Sequence, residues 1–463
     1  MTLNEYINST KDKSIGVVGI GVSNTPLIKK LLNAGCRVTA CDKRSRQELG
    51  EEYDTLLALG AQFSLGESYL DDLGFDIIFR TPGLMPFDAR LQAAVERGAQ
   101  LTSEMELFMR LCPCKIFAVT GSDGKTTTTT IISELLKAQG YTVHLGGNIG
   151  RPLLCDVDDM TPDDVAVLEL SSFQLHSMVC RPDVAVITNI SPNHLDKHKD
   201  YQDYIDAKSA IFTNQQAGDR LVLNSENEYS PYYAKQAKSS ISYFSRKSKP
   251  ENGVFCADGV IYRTKNGISA PIMNADDIKL PGTHNLENYM AAFAATEGFV
   301  SDDVCISTAK TFAGVEHRLE QVRVLNGVTF INDSIGTSPT RTAAGLHALK
   351  TKPILIAGGY DKHIPFDGLG DEICKYAKAL YLTGNTSDKI YDAVVNSKYY
   401  TGQIPIVKID DFKETVLAAA SSAQSGDTVL LSPACAAFDK FKNFMERGKY
   451  FKQIVMELPD ECK

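Results

Sequence analysis

The chain has 463 residues, 43% hydrophobic and 23% charged, with a net charge of −9. This is globular composition; it excludes a disordered chain, and its acidic balance gives no footing for non-specific binding of nucleic acid. At roughly 150 residues per domain, the length corresponds to about three domains.

No apolar run approaches the roughly 20 residues of a membrane span. The start, Met1-Thr-Leu-Asn-Glu-Tyr6, lacks the basic-then-apolar pattern of a secretory signal. Eleven cysteines stand at scattered spacings, with Cys112-Pro-Cys114 the one close pair. They read as reduced thiols of a cytoplasmic protein, not as a zinc ribbon or disulfide scaffold.

The first predicted strand is the apolar run 14–20, followed by a helix over 26–34 with Gly35 as its stop and a strand over 37–41 leading into Asp42. A strand over 76–79 and the loop Thr81-Pro-Gly83 come later. Strands alternating with helices imply βαβ units and a parallel sheet. Gly19-Ile-Gly21-Val-Ser-Asn24 closes the first strand, with Asp42 beyond it. Two glycines allow close approach to phosphate, and the acid can reach a ribose, as in a dinucleotide fingerprint. Asn24 replaces the third glycine, and a purely structural turn is the other reading.

A second region begins near Ser103, with strands predicted over 115–119, 141–145, 164–168, 183–188 and 220–223, and a hairpin around Ala257-Asp-Gly259. Thr120-Gly-Ser-Asp-Gly-Lys-Thr-Thr127 directly follows a strand. Gly121 and Gly124 let backbone N–H groups of Gly121, Ser122, Asp123 and Gly124 turn toward phosphate oxygens, while Lys125 adds charge and the Thr126 and Thr127 hydroxyls lie at the helix start, Thr126 able to bind Mg²⁺. Val119 stands where the strict phosphate-loop pattern has glycine, so this is a shortened variant. The threonine run 126–130 is a poor helix former, which suits a start held by ligand and packing.

Glu169, in Leu168-Glu-Leu-Ser-Ser-Phe-Gln-Leu175, is predicted at the end of a strand, where parallel sheets place ligands; it can complete a Mg²⁺ shell or cap the next helix. His194 and His198 lie four apart, a spacing that can share one helical face, and each can equally be a packing residue. Lys208, by composition, is a solvated helix residue. Asn285 and Asn288 can bond an adenine edge or cap a helix.

The third region starts near Glu316, with strands predicted over 328–331, 353–357, 379–382, 404–407 and 428–431. Glu316-His-Arg318, Ile331-Asn-Asp333-Ser334 and Leu431-Ser-Pro-Ala-Cys-Ala-Ala-Phe438 flank these strands. The expected fold class is α/β: three domains, each a largely parallel sheet flanked by helices. Residues 1–102 are Rossmann-like, 103–314 P-loop ATPase-like and 315–463 Rossmann-like.

Taken in order, these segments resemble the Mur ligases over essentially the whole chain. The Glu169–Leu175 and Ser432–Phe444 segments resemble the branch that adds D-glutamate. The phosphate loop is shared with folylpolyglutamate synthetases, against which the first region and the Glu169 segment argue. The resemblance implies that ATP phosphorylates the carboxylate of UDP-N-acetylmuramoyl-L-alanine and that the amine of D-glutamate captures the acyl phosphate, in cytoplasmic peptidoglycan precursor synthesis. It implies ATP and two Mg²⁺ ions as cofactors, domain closure, a monomer, and no nucleic-acid or membrane partner.

Residue by residue, it implies that Gly21, Val22, Ser23, Asp42, Lys43 and Gly83 line the uridine-diphosphate pocket, replacing the dinucleotide reading. Lys125 would hold the γ-phosphate; Thr126, Glu169, His194 and a carbamylated Lys208 would ligate Mg²⁺. Asn148, Ser171 and Gln174 would position the muramoyl-alanine end; Asn285, Asn288, Arg318 and Asp333 would face adenosine. Thr337, Lys362, Ala437, Phe438 and Phe444 would receive D-glutamate. The family pattern has lysine where this chain has Ile335, and often serine where it has Ala437; His198 matches no family role. The loss of one cation leaves a non-catalytic nucleotide-sugar binder as the rival from another class.

Overall fold

Apolar runs short enough to be strands, separated by amphipathic helices, assemble into three sheets. The structure is a computed structural model that describes residues 1–192, 197–280, 282–361 and 365–460. It divides into two units, Met1–Phe312 and Ala313–Lys463, the first of which holds two of the sheets.

The first sheet contains β1 (Ser14–Val18), β2 (Arg37–Asp42), β3 (Gln62–Leu65), β4 (Ile77–Phe79) and β5 (Gln100–Thr102), all parallel in the order β3-β2-β1-β4-β5. β1 ends before the predicted Ile20 because Gly19 turns the chain at φ 92°, a conformation that favours glycine.

The second sheet contains β6 (Lys115–Thr120), β7 (Val143–Gly147), β8 (Val165–Glu169), β9 (Val184–Ile187), β10 (Arg220–Asn224), β11 (Ser240–Ser245), β12 (Gly253–Ala257), β13 (Val260–Lys265) and β14 (Ile268–Asn274). Its order is β14-β13-β12-β11-β10-β9-β6-β8-β7, parallel from β7 to β12 and antiparallel beyond. β6 therefore lies between β8 and β9, so the segments leaving these three strands meet at one end of the sheet.

Side chains of β6 alternate between two cores. Phe117 and Val119 pack with Ile131, Ile132, Leu135 and Leu136 of the helix Lys125–Gln139. Ile116 and Ala118 face a core that continues into Ile15 and Val17 of the first sheet, which joins the two sheets into one unit. Those four helix aliphatics, at roughly 2 kcal/mol each, outweigh the helix penalty of the threonine run, about 0.5 kcal/mol per residue.

The third sheet contains β15 (Glu320–Leu325), β16 (Val328–Asn332), β17 (Ile354–Ala357), β18 (Ala379–Leu382), β19 (Ile406–Lys408) and β20 (Thr428–Leu431), in the order β15-β16-β20-β17-β18-β19. Only the β15–β16 pair is antiparallel.

The sequence reading missed β3, β5, β11, β14 and β15. Four of them, β3, β5, β14 and β15, stand at sheet edges with one neighbouring strand each, and their partly exposed residues need no continuous apolar run. β11 is internal, but Ser242 and Ser245 are buried in it and break the apolar pattern. Among the described residues no helix is long and apolar enough to cross a membrane.

Candidate active site

The phosphate-loop segment leaves β6 through Gly121 (φ 147°) and enters the helix Lys125–Gln139 through Gly124 (φ 79°). A side chain at Gly121 would overlap Thr188, and one at Gly124 would overlap the Asn288 amide. The loop is braced from β9: Ser122 N–H donates to Asn189 O at 2.8 Å, Asp123 N–H to Asn189 Oδ1 at 2.9 Å, and Thr188 Oγ1 to Asp123 O at 2.6 Å. The helix start has no side-chain cap, which leaves its N-terminal dipole for an anion. Lys125 Nζ folds over the loop, 2.9 Å from Gly121 O and 2.8 Å from Ser122 O. The threonines are held from within: Thr129 and Thr130 hydroxyls donate to Lys125 O and Thr126 O, and Thr128 donates to Asn288 Oδ1 at 3.2 Å.

Asn285 and Asn288 are both buried, with Asn288 Nδ2 3.3 Å from Asn285 Oδ1. Their helix, Thr283–Ala295, starts at Gly282 without a side-chain cap. For Asn288 the capping alternative is corrected: it sits in the second turn of its helix and accepts from Thr128, in the first turn of the helix that the phosphate loop opens.

Glu169 ends β8, paired in register with Val119 and 1% exposed. Its Oε1 accepts from Asn148 Nδ2 at 2.6 Å, whereas its buried Oε2 has no hydrogen-bond partner among the described residues. Ser171, not Glu169, caps the next helix (Ser172–Leu175), in a reciprocal capping box with Gln174. The cap reading of Glu169 is therefore corrected. A buried carboxylate oxygen lacking a donor, beside a phosphate loop with the Thr126 hydroxyl in its first helical turn, is a donor set suited to a hard divalent cation.

Lys208 departs most from its compositional reading. It lies on the inner face of the helix Tyr201–Ser209, 1% exposed, with Nζ 2.9 Å from Gly121 O and 4.6 Å from the centre of the Tyr204 ring. Burial, reinforced by the charge of Lys125, holds its amine well below the ordinary lysine range. Tyr204 itself bonds Ser122 Oγ at 2.8 Å, so this helix touches the loop twice. His198 is buried in the segment ahead of that helix rather than on it. His194 lies outside the described residues.

In the first sheet, Gly21, Val22 and Ser23 form an exposed turn after β1. Buried Asn24 donates to Val18 O and Gly19 O, so the residue in place of the third glycine pins the turn. Asp42 accepts from Ile20 N–H at 2.7 Å and from Arg44; despite burial, these bonds hold its carboxyl below the usual range. Lys43 and Gly83 are exposed, Lys43 beside Glu67. Ser23 and Gln174 share one crevice with Arg80, Pro82 and Glu104.

Arg80 was not foreseen. Its buried guanidinium donates to Phe173 O at 2.9 Å and to Ser177 Oγ at 2.8 Å, tying the end of β4 to the Gln174 helix. The available signal was an arginine closing the apolar run Ile77-Ile-Phe79.

In the second unit, Asp333 follows β16 and is buried; Ser432 Oγ donates to it at 2.7 Å and Leu319 N–H at 3.2 Å, yet burial pushes its carboxyl up to about 6. Arg318 precedes β15. Ala437 is buried, Phe438 is 63% exposed, and Phe444 starts the last helix, its carbonyl accepting from Ser334 Oγ. Thr337 and Ile335 are half-buried in the turn after Asp333, and the Arg341 guanidinium reaches Ile335 O at 3.3 Å. Arg447, also unforeseen, is buried and donates to Ser334 O, Cys435 O and Ala436 O, fixing the loop after β20. Lys362 lies outside the described residues.

Residues 119–296 match the Mur ligase middle domain, and residues 317–435 the Mur ligase glutamate ligase domain. The chain is 50% identical over 457 residues to the UDP-N-acetylmuramoylalanine–D-glutamate ligase of Acetivibrio thermocellus, covering 98% of each. It is 49% identical to the protein of that name from Ruminiclostridium cellulolyticum, covering 98% of this chain and 99% of that one. Among solved structures, MurF of Acinetobacter baumannii shares the fold at TM-score 0.60 and 15% identity, covering 98% of this chain and 99% of that one. The UDP-N-acetylmuramate-alanine ligase of Thermotoga maritima does so at TM-score 0.56 and 18% identity, covering 96% and 99%. With half its residues shared along its full length with such relatives, the chain belongs to the Mur ligase family.

Proposed function

We propose that this chain is an ATP-dependent ligase that joins D-glutamate to UDP-N-acetylmuramoyl-L-alanine in cytoplasmic peptidoglycan precursor synthesis. The substrate pair comes from the names of the relatives that share half its sequence. The observation that carries the chemistry is the unpartnered, buried Glu169 oxygen on the strand beside the phosphate loop.

A free carboxylate is a poor acylating agent because its oxygen does not leave. Its oxygen attacks the γ-phosphorus of ATP, ADP departs, and an acyl phosphate forms. The amine of D-glutamate then adds to the acyl carbon; the tetrahedral intermediate loses a proton and inorganic phosphate, leaving the amide. Two anions meet in the first step, so the site must supply positive charge and alignment. Lys125 and the N–H groups of Gly121–Thr127 are assigned to the phosphates, with Lys125 on the transferred γ-phosphoryl group.

Thr126, Glu169, His194 and Lys208 are assigned to Mg²⁺, two ions in all. When bound, Mg²⁺ neutralises phosphate charge and holds the transferred group in line. As an ammonium, Lys208 would repel such ions. Its depressed basicity favours the free amine, which adds CO₂ to give an anionic carbamate and a proton. Asn148, Ser171 and Gln174 are assigned to the muramoyl-alanine end, and Gly21, Val22, Ser23, Asp42, Lys43 and Gly83 to the uridine diphosphate. In the Ala313–Lys463 unit, Arg318 and Asp333, with Asn285 and Asn288 of the first, are assigned to adenosine. Thr337, Lys362, Ala437, Phe438 and Phe444 are assigned to D-glutamate. Residues 1–102, 103–314 and 315–463 then correspond to UDP, ATP and D-glutamate domains, in a monomer.

The test is phosphate release from ATP with each substrate omitted in turn, using acceptor labelled with ¹⁸O in its carboxylate. Release that needs both substrates, with one label transferred to inorganic phosphate, is the expected result. Release without D-glutamate dependence, or phosphate free of label, overturns the reading.

A further inference from the structure

Beside the site lies a polar cluster to which the reaction assigns nothing. Asp203, in the first turn of the helix that carries Lys208, accepts from His176 Nε2 on Oδ1 at 2.8 Å and from His198 Nδ1 on Oδ2 at 2.9 Å. His198 Nε2 lies 3.0 Å from Ser172 Oγ, the first residue of the helix that carries Gln174. Among the described residues, these two histidines and Asp203 are the metal-type donors that gather within 4.8 Å of one another. Around a metal with bonds of roughly 2.0–2.2 Å, tetrahedral donors would stand farther apart than 2.8 Å. These short N···O separations are hydrogen bonds.

The protons can be placed. A carboxylate only accepts, so both histidines donate to Asp203. With Nδ1 donating to Asp203, the Nε2 of the neutral ring accepts the Ser172 hydroxyl proton, and burial, which lowers the basicity of His198, favours that form. Bonds from His198 and His176 in turn hold the half-buried Asp203 carboxyl below its usual range, against the effect of burial. The His198 ring is packed between Phe173 at 5.4 Å, His176 at 5.8 Å and the edge of Tyr204 at 5.2 Å, so it has one position.

The network ties two helices at both ends of the shorter one. Ser172 starts that helix and His176 ends it, and both reach the first turn of the Lys208 helix through Asp203 and His198. On one side of this joint are Glu169, Ser171 and Gln174; on the other is Lys208, whose Nζ lies against Gly121. A helix of nine residues acts as a lever, so a small rotation at Asp203 displaces Lys208, five residues on.

We propose that His176, His198 and Asp203 are positioning residues of the ligase reaction, which set the Lys208 carbamate in register with Glu169 for Mg²⁺. The inference rests on the proposed carbamylation of Lys208. Partners of this kind, which orient a metal ligand without touching the metal, change metal affinity or activity by roughly 10- to 100-fold.

The test is Asp203→Asn, which keeps the shape but offers a single acceptor, with Ser172→Ala as the milder second variant should the first not fold. Three quantities are read on the full chain: the ¹³C resonance of the lysine carbamate after equilibration with ¹³C-bicarbonate, Mg²⁺ affinity by calorimetry, and thermal midpoint. The expected result for Asp203→Asn is about 10-fold or greater weakening of Mg²⁺ binding and a diminished carbamate signal, partly restored by high bicarbonate. Ser172→Ala is expected to move both in the same direction by less. A variant that melts lower but keeps the full signal and Mg²⁺ affinity shows a structural role only and overturns the inference. A wild-type chain with no carbamate signal overturns the Lys208 reading itself and this inference with it.

Discussion

Lys208 Nζ stands 2.9 Å from the carbonyl oxygen of Gly121, a bond from the last turn of one helix to the first residue of the phosphate loop. Both groups are buried, and the amine is held well below ordinary lysine basicity by burial and by Lys125. Replacing Lys208 with alanine removes both the loop contact and the amine proposed to carry the carbamate. Turnover is expected to fall by about 10²-fold or more, the scale of losing one preorganised electrostatic group. Wild-type turnover in bicarbonate-depleted buffer is expected to drop and to recover on adding bicarbonate. Steady-state phosphate release checks both; full activity of depleted wild-type enzyme carrying an unmodified amine would defeat the assignment.

Lys125 makes two short contacts, to Gly121 O and Ser122 O, and its side chain is half-buried. Lys125→Ala removes the charge assigned here to the transferred phosphoryl group while leaving the apolar face of its helix untouched. Turnover is expected to fall by about 10²–10³-fold with a thermal midpoint close to wild type. Near-normal turnover would refute the role.

Arg80 holds the Gln174 helix to the end of β4 through Phe173 O and Ser177 Oγ. An Arg80→Met substitution keeps the bulk and leaves those acceptors buried without a donor. Destabilisation of about 2–4 kcal/mol is expected from the unpaired groups, measured by urea unfolding of the full chain. A change below about 0.5 kcal/mol, the range of ordinary surface substitutions, would mean that water replaces the guanidinium.

Glu104 is buried, accepts the Leu154 N–H at 3.0 Å, and is pushed by burial up to about 7 from an ordinary 4.5. The native state therefore binds a proton that the unfolded chain has already released between those values. The stability that Glu104 contributes falls as pH rises from about 4.5 to about 7 and stays lower above it. Glu104→Gln, which is neutral at every pH, lacks this decline. It is expected to match wild type near pH 4 and to exceed it at pH 8 by on the order of 1–3 kcal/mol. Thermal melts at the two pH values check the sign, and a variant no more stable at pH 8 than wild type would contradict it.

The chain order already contained the three sheets and the phosphate loop, because continuous apolar strands and glycine-bounded turns are local patterns. The placement of Glu169 at the end of β8 and of the loop after β6 was equally legible, since both follow from where an apolar run stops. Edge strands such as β3 and β14 were not, since a half-solvated strand needs no apolar run. Lys208 looked solvated because a helix written in polar residues does not declare which face turns inward. Only packing against Gly121 and Tyr204 decided that its amine is buried and its basicity suppressed. Arg80, Arg447 and the His176–Asp203–His198 joint were likewise beyond the sequence: each satisfies acceptors contributed by segments distant in the chain, and distance along a chain says nothing of distance in space until the sheets have set their strand order.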